Sequence, residues 1–492
     1  MGRTGIAEEA VETALDQLYA AAPWQLGLLI GQMTAGQRDH IVAIVPTPKD
    51  ETASATTATT TATEQGAGAS KKAAAGKTPA SSNATSMQAQ IEGIDQEWVV
   101  AHARQVRQAL PGGIDVVGVY IYAPSDLSLK TSSTAAKLRQ LVTAVGANSL
   151  NAGEPHAITS ERYLVHVCSA TKKRIVRTLD VADHRASLAT AEWKAQNTFA
   201  KFRTISATYH LDSLVPLAGA TGDTGMVVSQ VIKAFKPVLA QLASAETVFD
   251  STLASTALDT PLPESAKGQS SVTVTIVTAL PSFASFNDLK LTSTSIATTT
   301  SVSVSGDVYV TAVVHPKATM AEAQQALLSD LVRTTSIRLA YLAEDLADSL
   351  AAQADSSAML VQPSPVRSLF SLPHLPSFPL SDYAYEDDSA EILEQRLSDL
   401  FGLKVTALAA ASAVEKAGDL SGFLASCSAP AAETKAKSTL TTTDSQVSTI
   451  TATTKATATP AKQVANAGTL PLPAIVAIIF LLVAVAIGAA LR

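Results

Sequence analysis

Cysteine is almost absent: 492 residues contain only 2, Cys168 and Cys427. That excludes a disulfide framework and points to a reducing compartment for the bulk of the chain. Aromatic residues are scarce at 5%, although hydrophobic residues reach 47%. Much of that apolar share is alanine, so the core is smaller than the percentage suggests. Charge is modest, with 36 basic against 43 acidic residues and a net charge of −7. No long Lys/Arg cluster occurs, which argues against a nucleic-acid partner. The 8 histidines never stand at HxH, HxxxH or HExxH spacing, so no local zinc signature exists. No G-x-S-x-G elbow is present, and no Lys-Ser/Thr follows the glycine-rich stretch 219–225, which reads as a turn. The N-terminus lacks the basic and apolar regions of a signal peptide and is spaced as an amphipathic helix.

Long hydrophobic runs are missing until the C-terminal end. There, Leu470 to Leu491 carries no charge and is long enough to cross roughly 30 Å of hydrocarbon. Residues 470–491 are therefore expected to be a transmembrane helix. Pro473, Ile475, Ile479, Phe480, Leu482, Val485 and Leu491 would face the lipid bilayer as its anchor. A GPI signal is the rival reading, but it calls for a secretion signal at the N-terminus. The expectation is a tail-anchored, single-pass protein with most of the chain cytosolic. Lys455 and Lys462 before the span agree with that orientation. The Ala/Thr/Ser/Lys tract at 428–468 reads as a flexible tether.

Between these ends the pattern is α/β. Two apolar runs, Leu26–Ile30 and Ile41–Val45, flank Thr34-Ala35-Gly36 as a hairpin of buried strands. Residues 50–92 read as a flexible Ala/Thr/Ser insertion. Asp95 caps a helix whose face is Trp98, Val99, His102, Val106 and Leu110. The stretch "DVVGVYIYAPSD" (115–126) is a strand that ends in a loop. A helix at 134–145 and two strands within 162–181 complete one α/β domain over residues 1–200. A second, α+β domain is expected over 201–355. Its strands lie at 271–280 and 306–316, and its long helix runs from Ala318 to Ala352. The helix stripe is Ala323, Leu327, Leu331, Leu339, Leu342, Leu346 and Leu350. Residues 282–305 stay open between strand edge and loop. Residues 356–427 read as a Pro-rich connection followed by an acidic-capped helix with Ile392, Leu393, Leu397 and Leu400 on one face.

Candidate chemistry is thin. His166 and Cys168 share a strand face and, with Asp180, offer a scattered site for a membrane-anchored hydrolase, the alternative to a binding protein. Asp387-Asp388 reads as a helix cap rather than a catalytic carboxylate pair. Val119, Tyr120 and Tyr122 offer a partner-binding platform, against the plainer reading of strand packing. The Thr-rich tracts give a third reading, a surface stalk, which the missing signal peptide disfavours.

Several segments, in one order, resemble the odorant-response-abnormal protein four (Odr-four-like) family. They are "GLLIGQ" (27–32), "DQEWVVAHARQVRQALPGG" (95–113), "GVYIYAPSDL" (118–127), "CSATKKRIVRTLDV" (168–181), "DYAYEDDSAEILEQRL" (382–397) and the C-terminal run. The resemblance implies an endoplasmic-reticulum membrane protein with a lumenal C-terminus. It implies a role in folding and trafficking of multi-spanning receptors of the G-protein-coupled type. It also implies recruitment of the cysteine peptidase that removes the ubiquitin-fold modifier, the ufmylation system. Residues 1–200 would then be an MPN (JAB-type)-like domain that pairs with an MPN-like domain of that peptidase as a heterodimer. Active MPN enzymes hold zinc with two histidines and an aspartate, beside a glutamate base. Here Ile121 and Ala123 occupy the histidine positions, leaving only Asp126 and Glu8 or Glu12 as acids. The resemblance thus implies a pseudoenzyme scaffold with no catalytic residues, no metal and no cofactor.

Overall fold

Runs of Val, Ile and Leu bounded by polar turns build a large mixed sheet. A computed structural model describes residues 2–21, 24–36, 38–49, 90–123, 133–150, 159–218, 224–263, 274–278, 299–352, 360–372, 374–385, 388–407 and 424–428. Its first strands are β1 (Thr4–Ala7), β2 (Gln25–Gln32), β3 (Arg38–Pro46), β4 (Asp115–Ala123), β5 (Glu161–Cys168), β6 (Arg174–Asp180), β7 (Ala189–Thr190) and β8 (Glu192–Ala195). They form one sheet in the order β7-β6-β5-β4-β2-β3-β1-β8. The expected β2–β3 hairpin is present. Strand β4 is central, antiparallel to β2 and parallel to β5.

Helices cover both faces of this sheet. Helix α1 (Glu9–Ala21) sets Val11 and Leu15 against Tyr120, Tyr122 and Tyr163. On the other face lie α2 (Gln96–Ala109) and α3 (Ser133–Leu150), packing Val99, Val106, Leu138 and Val142 against Val119, Ile121 and Leu164. Helix α2 starts as its sequence dictates: the Asp95 carboxylate accepts the N–H groups of Glu97 and Trp98. Val99, His102, Val106 and Leu110 are buried, while Trp98 sits at the edge and donates its indole N–H to the Pro48 carbonyl.

The later strands are β9 (Arg203–Ala218), β10 (Glu246–Phe249), β11 (Thr252–Leu253), β12 (Val274–Val277), β13 (Thr299–Val314), β14 (Leu360–Pro363), β15 (Val366–Leu372), β16 (Leu375–Ala384), β17 (Thr406–Ala407) and β18 (Leu424–Ser428). The 16-residue strands β9 and β13 pair antiparallel along their whole length, and β18 and β14 extend that sheet. Helices α4 (Thr224–Ala243) and α5 (Met320–Ala352) pack on it through Val227, Val231, Phe235, Leu327 and Leu331. By length and composition alone, Gly225–Ala243 within α4 is apolar enough to cross a membrane. Its contacts with the β9–β13 core are those of a packing helix. Helix α5 starts at Met320 because Thr319 and Glu322 form a reciprocal capping box. Its expected stripe from Ala323 to Leu346 is buried.

Two expectations need correcting. Residues 299–305, left open between strand and loop, belong to β13. Residues 356–427 are more than a connection. Strands β15 and β16 form a hairpin, and Phe370, Leu372, Phe378 and Leu380 enter the same core as Ile121 and Val106. Strands β15 and β16 and the helix that follows them thus complete the core of the N-terminal unit, while β14 and β18 belong to the β9–β13 sheet. The prolines of β16 are tolerated because it is an edge strand, with no neighbour on one side to require the missing N–H. Helix α6 (Ala390–Phe401) follows, ending at Gly402 in the left-handed conformation (φ 62°). It buries Leu393, Leu397 and Phe401, whereas Ile392 is 44% exposed, so its inner face is centred away from the expected one. The insertion from 50 to 89, the tether from 429 and the span 470–491 lie outside the described residues.

Candidate functional site

Strand β4 is the natural place to look for chemistry, and its environment is dry. Ile121 and Ala123 are 0% exposed and belong to the apolar cluster under α2 and α3. Neither side chain has a lone pair for a metal, and a fully buried Ile stabilises the fold by about 1.5–3 kcal/mol. Among the described residues, no group of three or more His, Cys, Asp or Glu side chains is arranged to hold a metal ion. Asp126 lies outside the described residues.

The two candidate glutamates are committed elsewhere. One Glu8 carboxylate oxygen accepts the Thr198 N–H (2.7 Å), the Thr198 hydroxyl (2.8 Å) and the Phe199 N–H (2.7 Å). It thereby caps the short helical turn at Phe199–Lys201. Glu12 accepts the Trp193 indole N–H (2.7 Å) and pairs with Arg174. Glu12 also rides on α1, which covers the face opposite Ile121 and Ala123.

The partner-binding platform requires correction. Val119, Tyr120 and Tyr122 are at most 1% exposed, because β4 is flanked by strands on both sides and covered on both faces. As placed, they offer a partner no surface. Tyr120 is accommodated by glycine: Gly27 stands opposite it in register, and a Cβ there would collide with the Tyr120 ring and the Val45 carbonyl. Burial pushes the Tyr120 hydroxyl above its ordinary pKa. Tyr122 packs edge-on against Tyr19, with centroids 5.6 Å apart.

The hydrolase candidates are also dispersed. His166 and Cys168 are 0% exposed inside β5. Asp180 pairs in register with Glu161, five residues from His166 (166 against 161), or about 17 Å along a strand. Asp180 instead accepts the Ser160 hydroxyl (2.6 Å) and the Ala182 N–H (3.0 Å). No nucleophile, base and orienting acid converge there.

What sequence reasoning missed is a set of buried charges between distant segments. Arg3 donates twice to Asp39 (2.7 and 2.6 Å) and once to Glu161 (2.8 Å), and Tyr163 donates to the same Asp39 carboxylate (2.7 Å). Desolvation opposes the Arg3 charge, but these carboxylates prevail and hold its pKa above normal. Arg367 grips Asp330 through two hydrogen bonds, both side chains 1% exposed. No local spacing in the sequence marks either pair.

Fold and site together define a mixed α/β protein whose central strand holds core side chains, with no catalytic group converging on it among the described residues. The chain belongs to the family described as Odorant response abnormal 4-like, whose model matches residues 27–412. It is 26% identical over 420 residues to the "Protein odr-4 homolog" of Mus musculus and 27% identical over 411 residues to that of Homo sapiens. Each match covers 81% of this chain and 83% of the relative. The Xenopus tropicalis homolog is 33% identical over 227 residues, a match spanning 45% of this chain and 43% of that protein. Among solved structures, one titled "Crystal structure of UfSP from C.elegans" aligns over 81% of this chain and 56% of its own, with a TM-score of 0.36 and 8% identity. A likeness at that level carries no argument about fold or partner.

Proposed function

We propose that this protein is a non-catalytic adaptor at the endoplasmic-reticulum membrane. In this reading it recruits a peptidase specific for the ubiquitin-fold modifier and assists the folding and trafficking of multi-spanning receptors. The observation that carries the proposal is that Ile121 and Ala123, which the family resemblance sets at the histidine positions of an active MPN strand, are both packed into the core. Such a strand serves packing, which suits a scaffold. The uncharged run at 470–491 supplies the membrane attachment and leaves the folded part to face the cytosol.

The test is affinity purification of the tagged full chain from solubilised membranes, with a parallel measurement of peptidase location in cells that lack the chain. The expected outcome is co-purification of a modifier-specific peptidase and its loss from membranes in the deletion. A peptidase that neither co-purifies nor moves would sink the recruitment role. Unchanged surface delivery of multi-spanning receptors in the same cells would sink the trafficking role.

A further inference from the structure

A cavity of about 500 Å³ opens where the first sheet meets the end of β13 and the start of α5. That volume suits a small metabolite. Its wall is unevenly charged: Arg38, Arg107, Arg162, Lys317 and Arg333 line it, against the carboxylates of Asp115 and Glu322. Both carboxylates have structural work. Asp115 pairs with Arg107 (3.1 Å) and accepts the Val116 N–H (2.7 Å). Glu322 accepts the Thr319 N–H (3.0 Å) in the capping box of α5. Asp39 and Glu161 nearby are held by Arg3.

Arg162 stands out in this wall. Its side chain is among the largest in the molecule to be fully buried, at 2% exposure. Its hydrogen bonds to the Thr159 and Glu161 carbonyls (3.0 and 2.9 Å) both leave from Nη1, while Nε has no partner. Among the described residues no carboxylate forms an ion pair with it. Desolvation lowers its pKa; Asp115 and Asp39 attract the charge through space without touching it, and Arg107 and Arg3 repel it. A buried guanidinium with no carboxylate in direct contact is expensive for a fold to keep, and a planar fork is the shape that receives a carboxylate or phosphate. His40 and His315, with ring centroids 4.9 Å apart, also line the cavity. Burial keeps both rings below the ordinary imidazole pKa, so at neutral pH they add polar atoms without charge.

We propose that this cavity binds a small anionic metabolite, its phosphate or carboxylate group seated against Arg162 and drawn in by Arg38 and Lys317 at the exposed rim. This goes beyond the adaptor role. The full chain, purified in an uncharged detergent, should show a saturable rise in melting temperature with inorganic phosphate, pyrophosphate or citrate, each compared with chloride at matched ionic strength. A response to phosphate or pyrophosphate alone assigns a phosphate ligand, a response to citrate alone assigns a carboxylate, and a response to all supports the shared chemistry. Arg162→Lys keeps the charge but loses the fork, and should weaken the apparent affinity about tenfold or more. Lys317→Glu, at an exposed position, should weaken it severalfold in a folded protein and decides the matter if Arg162→Lys does not fold. Absence of a saturable shift with all three probes overturns the proposal. So does an unchanged affinity in the variants that fold.

Discussion

Replacing Arg367 with methionine should be among the most damaging single substitutions in the molecule. Its guanidinium sits at the junction of three segments. It donates to both oxygens of Asp330 on α5 (2.6 and 3.0 Å), to the Tyr309 carbonyl on β13 (2.9 Å) and to the Ser381 hydroxyl on β16 (2.9 and 2.7 Å). Asp330 keeps only the Thr311 N–H (2.8 Å) among these bonds once the guanidinium is gone. With both partners 1% exposed, water cannot replace what is lost, and an orphaned buried carboxylate costs about 3–5 kcal/mol. At roughly 1 °C per kcal/mol for a chain of this size, the melting temperature should fall by about 3–5 °C. Asp330→Asn alone should also destabilise, by leaving the guanidinium charge uncompensated. The double variant removes both charges, so most of the loss should return. Thermal unfolding of wild type, both single variants and the double variant measures the coupling. Single losses below about 1 kcal/mol, or a double variant equal to the sum of the singles, would refute the view that charge compensation governs this contact.

Other outcomes follow from the same geometry. His40 is held neutral by burial and by repulsion from His315, its pKa lowered to about 4, and burial lowers that of His102. The folded state therefore binds fewer protons than the unfolded one, so this contribution is complete above about pH 6.5 and is lost as pH falls towards 4. For His40 the loss reaches about 3 kcal/mol, visible as a falling urea midpoint, and a flat midpoint across that window would contradict it. Gly27→Ala should cost about 1–3 kcal/mol by driving a methyl group into the Tyr120 ring and the Val45 carbonyl; denaturant unfolding will show whether β2 and β4 can part to admit it. Asp95→Ala should remove the α2 cap for about 1 kcal/mol, while Asp95→Asn or Asp95→Ser should keep most of it.

Local chemistry was legible in the sequence and long-range chemistry was not. The β2–β3 hairpin, the Asp95 cap and the α5 stripe depend on neighbours within a turn or two, and their residue types declare them. Strand β9 and helix α4 escaped notice. "RTISATYHLDSLVPLA" mixes polar residues with a proline, and it becomes a strand only because β13 pairs with every residue of it. Prolines likewise disguised β16, whose edge position makes them harmless. At β4 the apolar identity of Ile121 and Ala123 was plain, but the burial of Tyr120 and Tyr122 depends on α1 arriving over that face. Arg162 gave no sign at all. An arginine in a strand reads as a solvated charge until the surrounding segments close around it.

The docking of β15, β16 and α6 onto the first sheet also sets a timetable. During synthesis, β1 to β8 emerge with part of their apolar surface uncovered, and the segment that seals it arrives only after the whole β9–β13 unit has been made. Helix α2 and the inner face of β4 must wait through that interval with Phe370, Leu372 and Phe378 still missing. An incomplete chain is therefore sticky in a place where the finished one is dry, and it is the nascent protein that has most need of a chaperone.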